Sequence, residues 1–203
     1  MFNDRYGLTD AVIEGRKTMT RRLVPGSLTE QWIEFVSDAP SVGGVYVHES
    51  EKDFYERETP RYKVGEIVAV AQNYFSTYDE SKWESGIWYN EFAEGSDITN
   101  HAGWINKMFV KAEYMPHQIR ITGIRCERLQ DISDEDCFRE GISESWYEST
   151  DTTTYGYADE KKGTAVEFDT PRKAFAALID KVSGRGTWAS NPWVVVYEFE
   201  LMK

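Results

Sequence analysis

Histidine and cysteine are scarce in this chain, and their scarcity removes whole classes of chemistry. Three histidines, His48, His101 and His117, and two cysteines, Cys126 and Cys137, are spread over 203 residues. No CxxC pair or Cys/His cluster has ligand spacing, so neither a metal site nor a disulfide framework is expected. Long apolar runs are missing as well, which excludes a membrane-spanning helix. The first residues, MFNDRYGLTD, are polar rather than signal-like, and the cytoplasm is the expected compartment. Cations are outnumbered: 23 Lys and Arg face 35 Asp and Glu, a net charge of −12. That balance argues against broad binding to a phosphate backbone, which depends on Lys and Arg neutralising phosphates. There is no internal repeat and no low-complexity tract.

What is present is an ordinary apolar fraction, 40%, and a generous aromatic one, 14%, including seven Trp and twelve Tyr. This is a folding composition. Most of the aromatics are expected to pack, though rings also stack on flat ligands such as bases. The densest basic cluster in the acidic chain is Arg16, Lys17, Arg21 and Arg22. Its plain reading is a solvated strand edge, and its functional reading is a local anion or carbonyl pocket.

Periodicity and punctuation predict short strands between capped helices. Leu8–Gly15 reads as a helix capped by Thr9 and stopped by Gly15. Lys17–Val24 reads as extended, 29–36 as a helix, and 45–48 as a short strand after a turn at 40–44. Tyr62–Glu66 is a turn launching Ile67–Gln72, an apolar run of buried-strand type. Gln118–Arg128 is a long strand, with Ile119 and Ile121 on one parity and Arg120, Thr122 and Ile124 on the other. Ser133 caps an acidic helix ending at Gly141, and the helix start accounts for Asp134, Glu135 and Asp136 without a metal. Thr170-Pro171 opens a helix with an apolar stripe that ends at Gly184. Trp193–Leu201 is a closing strand buried on both sides in its first half. Residues 143–166, polar and rich in Thr and Tyr, read as a mobile loop. Without a repeated βαβ unit, the pattern implies a mixed α+β protein with a small curled sheet.

Four blocks in order carry a resemblance to a known family. Glu14-Gly15-Arg16-Lys17-Thr18-Met19-Thr20-Arg21-Arg22 is similar to the GRKTxTxR signature of ASCH domains, a branch of the PUA-like superfamily found in many bacterial and phage proteins. Tyr62–Val68 resembles the family's Gly-Asp turn, with Glu66 in place of Asp. Ile119–Gly141 resembles its central strand–helix unit, and Asn191–Phe199 its terminal strand. One departure stands out. Larger relatives end the strand after the turn in Trp-Val-Arg-Glu, whereas this chain has Val68-Ala69-Val70-Ala71-Gln72 and lacks that Arg and Glu.

The resemblance implies an α+β PUA-like (ASCH) mixed β-barrel flanked by short helices. It implies one domain over 1–203, with long loop insertions near 25–60, 74–112 and 143–168. It further implies a pocket at the barrel mouth for a nucleobase, nucleotide or short single-stranded RNA, with Arg16, Thr18 and Arg21 as ligand-binding residues. An enzymatic branch of the family implies an alternative, a metal-independent amidohydrolase of N4-acylated cytidine or a similar modified nucleoside. Its Lys, Thr and Glu fall on Lys17, Thr20 and Glu140. A Lys desolvated at a barrel mouth serves as base, the Thr as nucleophile, and a Glu at a helix end as proton donor. An interaction protein in a phage or mobile-element setting is a third reading. No cofactor, metal or membrane partner is implied. Trp104, Trp146 and Tyr147 lie in the insertions, where packing is preferred over stacking on a base. Cys126 and Cys137 are expected to be buried and inert.

Overall fold

The computed structural model describes residues 2–38, 41–42, 45–46, 50–77 and 100–202. The alternation of the last strand sets its layering. Strand Trp193–Leu201 (β9) sends Val194 and Val196 into one buried cluster and Val195, Tyr197 and Phe199 into another. A strand apolar on both parities must be covered on both sides, and here it is central. Its neighbours are Met19–Leu23 (β1) and Gln118–Arg128 (β5), and β5 also pairs with Ile67–Ala69 (β4). The result is a curled, half-barrel antiparallel sheet in the order β1-β9-β5-β4.

Helices seal the two faces. Leu8–Ile13 (α1) contributes Val12, and Glu51–Glu58 (α3) contributes Phe54 and Tyr55, to the cluster around Tyr197. On the other face lie Asp134–Arg139 (α5) and Pro171–Ser183 (α6), whose Cys137, Phe175 and Leu178 pack with Met19, Leu129 and Val196. Ser133 accepts from the amide of Asp136, and Thr170 from that of Lys173, so both expected caps are formed. Gly26–Asp38 (α2), Tyr74–Thr77 (α4) and Thr187–Ser190 (α7) complete the helices of the described residues longer than a single 3-10 turn.

Several readings of the sequence need correction. Thr9 is not the cap of α1. Gly7, in a left-handed conformation, holds that position, while Thr9 is buried one residue inside the helix and donates to Asp4. Ile67–Gln72 is not a buried strand. Only Ile67–Ala69 pairs, at the sheet's edge, with Ile67 exposed, and Val70 is the residue that is fully buried. Ser41–Val42 (β2), within the expected turn, pairs with Val45–Tyr46 (β3), and His48 lies outside the described residues.

Residues 143–166 are not a loop. Ser143–Tyr147 (β6), Thr152–Asp159 (β7) and Thr164–Phe168 (β8) form a three-stranded antiparallel meander. Threonine and tyrosine suit a half-buried pleated surface, and Tyr155, Tyr157, Val166 and Phe168 pack it on the cluster beneath α6. Its other face carries Ser143, Ser145, Thr154 and Glu167, as alternation over a half-buried sheet requires. Of the region 74–112, helix α4 and residues 100–112 are described, and 78–99 lie outside the described residues.

The most consequential difference is a bulge. The β5–β9 register shifts between Ile121 and Gly123. An extra residue inverts side-chain parity beyond it. Ile124 and Cys126 therefore join Ile119 and Ile121 on one face, against the expected split. Arg125 and Glu127 turn to the opposite face, toward α5.

Candidate functional site

Arg21 and Arg125 lie opposite Val196 on either side of β9, on the face that α5 covers. Two guanidinium groups on a buried face need carboxylates, and the neighbouring elements supply them. Arg21, whose side chain is 1% exposed, donates to Glu127 at 2.6 Å, Asp136 at 2.8 Å and Glu140 at 3.1 Å. Arg125 pairs with Glu127, Asp136 and Glu198, and Arg139 bridges Asp136 and Glu198. Lys17 closes the array against Glu140. The cluster holds four cations (Lys17, Arg21, Arg125, Arg139) and four carboxylates (Glu127, Asp136, Glu140, Glu198), and is formally neutral.

Lys17 is the most confined member. It leaves α1 through the Gly15 turn, its amide bonds Ala11 O, and its side chain is 2% exposed. Its Nζ donates to the backbone oxygen of Glu140 at 2.7 Å and to Glu140 Oε2 at 2.6 Å. The first bond satisfies a carbonyl left open at the end of α5. Gly141 makes room for it. With φ at +106°, a Cβ there would meet Leu8 at 3.2 Å and the Lys17 stem at 3.6 Å. Burial pushes the Lys17 ammonium below the ordinary lysine range, while Glu140 opposes that shift in part. The Glu140 carboxylate is bonded by Lys17 and Arg21 rather than left to the helix end.

These side chains form one wall of a cavity of about 850 Å3 that Lys17, Thr20, Arg21 and Glu140 all border. Phe175, Leu178 and Ile179 of α6 supply an apolar side, and the 2–5 and 105–108 segments supply the rim. Lys107 ties those rim segments together by donating to Phe2 O and Asp4. The space is of ligand size and combines apolar walls with a few convergent polar groups.

Thr20 stands differently from its companions. Strand alternation puts it across from Tyr197, on the face turned away from Arg21, and it borders a second cavity there as well. Among the described residues no hydrogen bond joins Thr20 to Lys17 or Glu140. Arg16 is exposed and pairs with Glu14, and Thr18 accepts from Arg139 at 3.3 Å; neither borders the cavity.

No family model, curated protein or solved structure matches this chain.

Sequence reasoning missed Glu127, Asp136, Arg125 and Glu198 as neighbours of the Lys17 motif. One signal was available for Glu198: it follows Val194 and Val196 on a buried parity, where a charge demands a partner. For Arg125 and Glu127 the bulge concealed the face. Trp146 and Tyr147 are largely exposed on β6, whereas Trp104 packs with Tyr74 and Met115. Both thiols are buried, and burial pushes each up to about 12. Among the described residues no group of His, Cys, Asp and Glu has a metal-holding arrangement, and no helix is long and apolar enough to cross a membrane.

Proposed function

We propose that the chain is an ASCH-type, PUA-like ligand-binding protein whose cavity beside Lys17, Arg21 and Glu140 takes a nucleobase, a nucleoside or the end of a short single-stranded RNA. The observation that carries this reading is convergence. Lys17 and Glu140, from two separate blocks of the family resemblance, meet at 2.6 Å on the wall of one ligand-sized recess. The curled sheet and the order of the four blocks support the family reading. A small ligand suits the charge better than a long nucleic acid, since the cations at this wall already have carboxylate partners.

Calorimetric titration with a panel of nucleosides and modified nucleosides tests it. Micromolar to millimolar binding by at least one, lost in a Leu178→Trp variant that fills the recess, is the expected result. No binding across the panel would refute it.

A second reading, amide hydrolysis of an N4-acylated cytidine or related nucleoside, draws on the buried Lys17 amine, whose lowered proton affinity suits a base. The position of Thr20 on the other parity weighs against it in this conformation. Mass analysis of the same incubations, wild type against Lys17→Ala, separates the two readings: hydrolysis predicts a deacylated product that chelators do not suppress.

A further inference from the structure

We infer that the face of the main sheet turned away from α5 carries a separate binding site, selective for a flat aromatic anion. A cavity of about 550 Å3 opens there, bordered by Tyr62, Tyr197 and Phe199, with Arg22 and Arg61 at its exposed edge. Phe2, Thr20, Arg22 and Leu23 at the β1 edge border both hollows, but neither Lys17 nor Glu140 borders this one, so the inference does not rest on the function proposed above.

Three observations specify the occupant. The first is the ring geometry. Tyr62 and Tyr197 meet edge to face at 5.5 Å, and Tyr197 Oη accepts from the amide of Arg61 at 2.9 Å. The two rings are thus fixed in place and present an aromatic wall to a flat guest. The second is charge. The exposed Arg61 stands at the mouth of an apolar hollow in a chain of net charge −12. The Arg61 guanidinium lies 5.8 Å from the centre of the Tyr62 ring, which borders the same hollow. A carboxylate or phosphate matches a guanidinium fork at such a rim.

The third is an unmet hydrogen bond. Thr59 borders the same cavity, and its hydroxyl is buried without a partner among the described residues. A buried hydroxyl without a partner is costly, and a polar atom on the guest relieves that cost. The ring therefore enters among the tyrosines, Thr59, half-buried as a residue, turns its hydroxyl about χ1 to meet the polar edge, and the charge remains at Arg61. A fused-ring carboxylate and a nucleoside monophosphate share this chemistry.

Calorimetric titration of the Leu178→Trp variant, whose first recess is filled, with 2-naphthoate and with adenosine monophosphate, each beside its uncharged counterpart (2-naphthamide and adenosine), decides the matter and shows which source fits. At least one anion is expected to bind, with its neutral counterpart about tenfold weaker for want of a charge-assisted bond. Arg61→Gln should erase that difference. Thr59→Val, which keeps the shape, should weaken binding roughly fivefold, with the melting temperature of the free protein unchanged or raised. Ala71→Phe, which crowds this cavity alone, should abolish binding in a protein whose circular dichroism is unchanged. The proposal is overturned if neither anion binds at millimolar concentration, if neutral and charged guests bind alike, or if Thr59→Val and Arg61→Gln both bind as wild type does.

Discussion

Lys17 and Glu140 show why a buried charge is best understood through what its removal leaves behind. Glu140→Gln would strand a nearly inaccessible ammonium, at a cost of about 3–5 kcal/mol. Adding Lys17→Met to that variant removes the stranded charge, so the double substitution should recover part of the loss in urea denaturation. Additive losses would mean the pair is not coupled. The same lysine gives a pH signature. Because burial lowers its proton affinity, the folded chain releases this proton before the unfolded chain does. Where the unfolded state holds more protons, stability rises with pH. Wild type should therefore gain on Lys17→Met as pH climbs toward the ordinary lysine value, and parallel stability curves would contradict it. The thiols cancel in that comparison. They carry their own prediction: with both pushed up to about 12, iodoacetamide at mildly alkaline pH should label neither Cys126 nor Cys137 in the folded protein and both in urea, read by mass.

Among the elements, those announced by chemistry at their ends were legible. Thr170-Pro171 and Ser133 name helix starts whatever the tertiary context, and Thr170→Ala should cost about 1 kcal/mol in thermal unfolding. The double-sided burial of β9 was legible for a similar reason, since Val194, Val195 and Val196 leave no polar face. What could not be read was long-range registration. The bulge at 121–123 answers to β9, not to local sequence, and it decides that Glu127 rather than Ile124 faces Arg21. Strands β6–β8 were obscured by the polar Ser, Thr and Glu content of the stretch, not by a lack of period, since Tyr155 and Tyr157, and Val166 and Phe168, do alternate with small or polar residues. Their packing makes a sharp demand at Gly156, where a Cβ would lie 2.3 Å from the Val166 carbonyl oxygen. Gly156→Ala should destabilise the protein by roughly 1–3 kcal/mol or more, because backbone rather than a flexible side chain must move. For the candidate site, sequence and geometry can be compared only by which residues border one cavity. The motif pointed to Lys17, Arg21 and Glu140, but nothing local revealed that Arg16 and Thr18 lie outside the cavity.

At the scale of the whole molecule, charge and shape act together. A net charge of −12 coexists with a neutral eight-membered ion cluster, so the cations at the Lys17 wall do not add up to a basic surface. Duplex DNA should accordingly fail to bind at physiological salt in a mobility-shift experiment, even where a small nucleoside does. The half-barrel has ligand-sized hollows on its two faces, meeting at the β1 edge around Phe2, Thr20, Arg22 and Leu23. The proposed nucleoside binding belongs to the first of them, the recess where the lysine of the Gly-Arg-Lys-Thr segment meets the glutamate that ends α5. Nuclear magnetic resonance of lysine-labelled protein observes that group directly, with the Lys17 signal assigned by its loss in Lys17→Arg. On titration with the nucleoside panel, this signal should shift saturably with at least one ligand. A Lys17 signal unmoved by every nucleoside at saturating concentration would contradict the account.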